Sequence, residues 1–197
     1  MVIVVAVIFV VVVVVVVVAI PTHMAFITTD RNYAQGQIID NSTLDPVGEA
    51  SAIISSIGIS GSGIEKGIQM SVEALSDPNK LGLGSSFFRD TAYLVVIYVS
   101  DEKDWSTPGW ISNVQFFDGL KGGNFMPFAV IGDPPNGCTY SWRNVQYGAG
   151  YWDLVNHYGG SWYSICAADW GAQLQSLGSQ VITRSRFTLS EVDINND

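Results

Sequence analysis

The apolar run Thr91–Val99 breaks abruptly into Ser100-Asp101-Glu102-Lys103-Asp104. Three carboxylates and a hydroxyl at the end of a buried strand form an oxygen-rich group where an open α/β sheet carries its ligands. Partly desolvated carboxylates in that place suit a hard divalent cation, Mg²⁺ or Ca²⁺, which takes oxygen ligands. The same residues also make an ordinary solvated acidic turn. A second group is Ser60-Gly61-Ser62-Gly63, directly before an amphipathic stretch opening at Ile64. Hydroxyls on a loop at a helix start either ligate a cation or cap the helix, and capping alone explains a serine here.

Other chemistry is weakly supported. His23 and His157 are the two histidines; His23 opens a strand, His157 follows Trp152-Asp153-Leu154 on a helix, and no Gly-x-Ser-x-Gly elbow accompanies them. A hydrolase is therefore a minor reading, and no catalysis is expected. Cys138 and Cys166 are the only cysteines, and each follows a core strand beside loop-forming residues. They read as one disulfide and an oxidising compartment, with two buried free thiols as the alternative. Asn41-Ser42-Thr43 fits the short glycosylation pattern. Asp193-Ile194-Asn195-Asn196-Asp197 echoes the start of a calcium loop but lacks its Gly and distal Glu, and reads as an acidic tail.

These groups need elements to hold them. His23–Thr28 is a short strand ending in a polar turn, and Tyr33–Ile39 a weaker edge strand or hairpin. Gly48–Ile57 is a short helix. Ile64, Ile68, Val72 and Leu75 recur at helical spacing, and Asp77-Pro78-Asn79 stops that helix. Thr91–Val99 is apolar without alternation, as a parallel strand covered on both faces should be. Trp110–Leu120 follows as a helix with Ile111, Val114, Phe117 and Leu120 inward. Then come strand Phe125–Ile131, loop 132–137, helix Gly150–Tyr158, strand Ser161–Ile165 and helix Trp170–Leu177. Alternation of this kind means a three-layer α/β domain with a mostly parallel central sheet and helices on both faces. Residues 22–178 form that domain, and 179–197 a tail or the start of a further module.

Composition narrows the partners. The chain has 197 residues, room for one medium domain, and its six Trp, eight Tyr and nine Phe exclude a disordered chain. Its formal net charge is −9, with nine scattered Lys and Arg. A phosphate-backbone binder needs a clustered basic face, so nucleic acid is not an expected partner.

Residues 1–21 are a problem of their own. Val2 to Ile20 are all apolar, and Val10 to Val18 are valine without a break. The length suits a membrane span. No basic residue flanks it, and no linker separates it from the strand at His23. Uniform valine can also stand in for other side chains, in which case residues 2–9 are the first buried strand and 10–20 a crossover helix. A cleaved secretory signal is the third reading.

Taken together, HMAFITTD (23–30), GSGIEKGI (61–68), LVVIYVSDEKD (94–104), AVIGDPPNGC (129–138) and YGGSWYSICAADW (158–170) make residues 23–190 resemble a bacterial, secreted branch of the von Willebrand factor A (VWA) family. The resemblance implies a Rossmann-like fold and a metal-ion-dependent adhesion site built from three loops. Carried over, its third-loop aspartate is Asp101, and its second-loop hydroxyl is Ser62, with Ser60 as a rival. The first loop, Asp-x-Ser-x-Ser, has no match, because the chain reads valine there. If the valines are native, the site lacks its main ligands. The branch also implies a disulfide joining the loops that contain Cys138 and Cys166.

The implied function is extracytoplasmic adhesion (periplasm, outer-membrane surface or secreted). A protein partner would be engaged through loops 30–33, 60–63, 101–105 and 133–138, with Mg²⁺ or Ca²⁺ offering a position to a partner carboxylate. The alternative is a structural subunit of an envelope assembly with no working metal site, using Trp105, Trp110, Trp142 and Trp162 at its interfaces.

Overall fold

The computed structural model of the chain describes residues 12–18, 23–29, 38–57, 63–169 and 172–181. Its central sheet has five strands. In chain order these are β1 (Val12–Val18), β2 (His23–Thr28), β3 (Tyr93–Val99), β4 (Phe125–Ile131) and β7 (Trp162–Ser164), arranged β2-β1-β3-β4-β7. A separate hairpin is made by β5 (Cys138–Tyr140) and β6 (Arg143–Val145). The helices are α1 (Pro46–Ile57), α2 (Gly67–Ser76), α3 (Trp110–Lys121), α4 (Tyr151–His157) and α5 (172–181).

The sheet is mixed. β3, β4 and β7 run parallel, but β1 is antiparallel to both β2 and β3. This corrects the expectation of a mostly parallel sheet, and the cause is chain length. Only residues 19–22 join β1 to β2, whereas a parallel crossover takes a dozen or more residues. Val12–Val18 is thus a strand within the sheet, not a crossover or membrane-spanning helix, in keeping with the stiff χ1 and strand preference of valine. Among the described residues no helix is long and apolar enough to cross a membrane. Because β1 alone runs backwards, β2, β3, β4 and β7 all point the same way, and their carboxyl ends share one rim.

Side-chain alternation along β3 divides the core. Leu94, Val96 and Tyr98 pack with Ile68 and Leu75 of α2, Phe117 of α3 and Leu154 of α4. Val95 instead joins Met126 and Phe128 of β4 with Leu177 and Val181 of α5. Phe26 of β2 packs with Ile39 and Ile53. Helix α5 runs past residue 178, the expected domain end, and buries Val181 in this core.

Local signals set most element ends. Pro46 takes the first position of α1, where its missing N–H costs nothing, and Asp45 Oδ1 accepts the Gly48 N–H at 2.9 Å. Helix α2 opens at Gly67 rather than Ile64, and Ile64 is 54% exposed instead of inward. The reason is a competing bond: Glu65 O, which a helix opened at Ile64 would offer to Gln69 N, instead accepts from Trp105 N at 2.7 Å, and Gln69 N donates to Ser106 Oγ. In α3 the buried stripe is Asn113, Val114, Phe117 and Lys121, so Ile111 falls off it and is 59% exposed. Of the expected edge strand 33–39, Ile39 forms an isolated antiparallel bridge with Met24, and 33–37 lie outside the described residues. Residues 1–11 and the tail 182–197, with its calcium-loop echo, also lie outside them.

Candidate functional site

Three stretches meet at the shared rim. Ser100 N continues the β3–β4 ladder by donating to Val130 O at 3.1 Å, so the chain leaves β3 still held to its neighbour. Asp101 O then accepts from Gln146 N at 3.0 Å, and Asp104 N donates to Ala149 O at 2.9 Å. These bonds fasten the acidic turn to the segment before α4. From the other side, Trp105 N donates to Glu65 O at 2.7 Å, which brings in the stretch that follows the glycine-serine bend. The acidic cluster and residues 63–66 therefore lie together at the strand ends.

Two residues that sequence reasoning passed over organise this meeting. Glu65 is buried, and its Oε2 lies 2.5 Å from Ser100 Oγ. Burial pushes its carboxyl up to about 8; the Ser100 hydrogen bond opposes this, and the charges of Asp101, Glu102 and Asp104 add to it. Ser100 Oγ also accepts from Glu102 N at 3.1 Å and lies 2.8 Å from Glu102 O. Tyr151, fully buried at the start of α4, accepts the Gly67 N–H at its hydroxyl at 3.0 Å.

Helix α2 has no capping side chain of its own. Its first-turn N–H groups are satisfied from elsewhere in the chain: Gly67 by Tyr151, Ile68 by Asp104 Oδ1 at 3.4 Å, and Gln69 by Ser106 Oγ at 2.8 Å. Ser106 Oγ also donates to Asp104 Oδ1 at 2.8 Å. A partly negative group suits this end of the helix dipole. Even so, burial pushes the Asp104 carboxyl up to about 6, against the lowering effect of these hydrogen bonds. The nearest signal in the sequence was Asp104 itself, noted as part of a charge burst and not as a cap.

The expected site residues are placed as follows. Asp101 is half-buried on the rim, beside Ser100 and Glu102. Ser62 and Ser60 lie outside the described residues, as does the loop 30–33, although Thr29 at its threshold is buried. Asp133, after β4, accepts from Gly137 N at 2.6 Å through its carbonyl, and its buried Oδ1 has no hydrogen-bond partner. Cys138 and Cys166 are joined in a disulfide, with Cα atoms 6.2 Å apart. It ties the start of β5 to the turn after β7, beside buried Val130, Val145 and Ile165. Of the four tryptophans expected at interfaces, Trp105 and Trp142 are exposed, at 41% and 79%. Trp110 and Trp162 are partly buried against the main core.

The donor set on this rim is all oxygen, the kind a hard cation takes. Among the described residues, however, no three carboxylate, histidine or cysteine side chains gather closely enough to hold a metal ion. The histidines sit elsewhere. His23 Nδ1 lies 3.0 Å from Phe87 O at the opposite end of β2, and the His157 ring packs 5.9 Å from Trp110 and 4.9 Å from Tyr158. Comparison of the chain with protein-family models, with curated proteins and with solved structures yields no match.

Proposed function

We propose that this chain is a VWA-type, extracytoplasmic binding domain that engages a protein partner through the rim at its strand ends and performs no catalysis. The observation that carries this reading is the convergence of residues 63–66, 100–106 and 146–151 where β2, β3, β4 and β7 all finish. Open α/β sheets bind ligands on that side. The division of the core, with α2, α3 and α4 meeting one set of β3 residues and α5 the other, supports a three-layer, Rossmann-like arrangement. The Cys138–Cys166 disulfide supports an oxidising compartment.

Asp101 on this rim would hold Mg²⁺ or Ca²⁺, with Ser62, which lies outside the described residues, as the second ligand the resemblance implies. A cation there would supply an open coordination position for a partner carboxylate. Calorimetric titration of the full chain with each metal tests the reading. Saturable heat that disappears in Asp101→Ala is the expected result. The absence of heat would favour a second reading, a structural subunit of an envelope assembly, for which exposed Trp105 and Trp142 speak.

A further inference from the structure

Asn41-Ser42-Thr43 is the one Asn-x-Ser/Thr triplet in the sequence, and Leu44 rather than proline follows it. It folds as a surface turn between the bridge at Ile39 and the start of α1. Asp40 holds the turn. Its Oδ1 accepts from Ser42 N at 2.8 Å and from Ser42 Oγ at 2.6 Å. Its carbonyl accepts from Thr43 N at 3.1 Å, and its own N–H donates to Thr43 Oγ1 at 3.2 Å. Asn41 is exposed at the corner of this turn. Ile39 bridges Met24, one residue inside β2, and the bridge is antiparallel, so the chain runs on from it past the beginning of β2. The turn therefore lies at the end of the sheet opposite the rim. Beside it stand Leu44, fully exposed, and Val47, exposed in the first turn of α1.

We propose that Asn41 is an N-glycosylation site, its side-chain amide taking a sugar from a diphosphate-activated donor through a separate transferase. Asn41 Nδ2 bonds to the anomeric carbon of the sugar, and the bond from that carbon to the diphosphate breaks. The diphosphate leaves with the electron pair, and one amide proton passes to a base of the transferase. The second amide hydrogen and the carbonyl stay available for hydrogen bonds. The pattern asks for a hydroxyl two positions on, which Thr43 supplies, and for a surface loop in an exported chain. The exposed turn meets the second condition. The Cys138–Cys166 disulfide, a mark of oxidising compartments, speaks for export. A glycan is bulky and solubilising. Leu44 is within about 11 Å of Asn41 even along a fully extended chain, so a glycan there covers it. Carried at the far end of the sheet, the sugar leaves the rim open. The inference needs neither the binding role of that rim nor a cation at Asp101.

The test takes the full chain from the cells that make it and reads the peptide holding Asn41 by mass spectrometry. That peptide should carry sugar bonded to nitrogen, lost in Asn41→Gln and Thr43→Ala and kept in Thr43→Ser. Thr43→Ser retains the oxygen that accepts from Asp40 N, so it separates the acceptor pattern from a disturbed turn. A lipid carrier delivers a preassembled oligosaccharide and a nucleotide carrier a single hexose, so the attached mass tells the two donors apart. A bare Asn41 overturns the proposal. Sugar that survives Asn41→Gln does so too, since it would sit on a Ser or Thr hydroxyl, as does sugar on Asn41 that ignores Thr43→Ala. Enzymatic release of the sugar should raise self-association of the chain, and Leu44→Ser should abolish the difference. Equal association before and after release would overturn the covering of Leu44.

Discussion

Glu65 Oε2 and Ser100 Oγ are 2.5 Å apart, while the same serine oxygen lies 2.8 Å from Glu102 O. Serine has a single hydrogen, and both neighbours are acceptors when Glu65 is ionised. A proton on Glu65 resolves the shortage, since the acid then donates to Ser100 and Ser100 to Glu102 O. Burial, with Asp101, Glu102 and Asp104 nearby, pushes the Glu65 carboxyl up to about 8 from its usual value of 4.5. Between those two values the native state holds more protons than the unfolded chain. Stability is therefore full below pH 4.5 and is lost as pH rises through about 8. Asp104, raised to about 6, acts in the same direction at lower pH. In Glu65→Gln the slope of urea midpoints against pH should flatten, and the variant should exceed the parent at pH 9 by about 2 kcal/mol. An unchanged slope would remove Glu65 as its source.

The cap on α2 comes from residues more than thirty positions away. Asp104 accepts from Ile68 N and Ser106 from Gln69 N, so each removes one orphan donor of the helix. Asp104→Ala and Ser106→Ala should each cost about 1 kcal/mol, the usual size of a lost cap. Hydrogen exchange at Gly67, Ile68 and Gln69 should quicken in both variants. Because Ser106 also bonds Asp104, the double variant should cost less than the sum of the singles. Strict additivity would mean that the two act independently.

Much of the frame was legible in the sequence, since β4 matches the expected strand Phe125–Ile131 and β3 starts only two residues inside the expected Thr91–Val99. Both are continuous apolar runs, the pattern of a strand buried on both faces. Helix α2 was placed three residues early because apolar spacing cannot register the bond from Trp105 N to Glu65 O. The β5–β6 hairpin falls in residues 138–149, to which the sequence reading assigned no element. Its strands, Cys-Thr-Tyr and Arg-Asn-Val, are three residues long and show no apolar alternation. Glu65 and Tyr151 escaped notice for another reason. One looks like the polar face of a helix and the other like its core, and their roles arise from partners distant in sequence. Asp101 was readable as a rim residue because it ends a strand, which is a local property.

Lys121 makes a case of a buried charge held by backbone carbonyls. Its Nζ donates to the carbonyls of Arg89, Asp90 and Ala92 and lies 4.1 Å from the centroid of the Phe88 ring. The ammonium thereby holds the loop before β3 in place at the end of α3. Lys121→Met keeps the stem but leaves those carbonyls unserved, and should cost about 2–3 kcal/mol. Exchange of the amides in residues 88–92 should quicken more than that of β4. Equal protection in the variant would show that the loop holds its shape without the ammonium.

The disulfide closes a loop with a sequence separation of 28. Chain-entropy reasoning gives such a link about 3–4 kcal/mol, because the reduced unfolded chain gains the freedom that the link denies it. The Cys138→Ser/Cys166→Ser double variant should lose stability of that order in urea, with the loss concentrated near Val145 and Ile165, which pack beside the bridge. Added reductant should lower the parent's midpoint towards the double variant's and leave the latter unmoved.

Gly67 and Tyr151 supply the sharpest test of the rim's packing. Replacing a helical glycine with alanine ordinarily stabilises by about 1 kcal/mol. Here a Cβ at position 67 would sit 2.8 Å from Tyr151 Oη and 2.9 Å from its Cε1, inside contact distance. Tyr151 is fully buried and cannot swing aside, so overpacking should prevail and Gly67→Ala should cost about 1–3 kcal/mol. Removing the hydroxyl relieves the closest contact but leaves the ring carbon. Tyr151→Phe should therefore recover only part of the loss in the Gly67→Ala background. On its own it should be destabilising, since it strips the buried Gly67 N–H of its partner. That reversal of sign between the two backgrounds is the signature to seek in a double-mutant cycle. A Gly67→Ala variant more stable than the parent would mean that α2 and α4 are not packed this closely, and the capping geometry at the rim would fall with it.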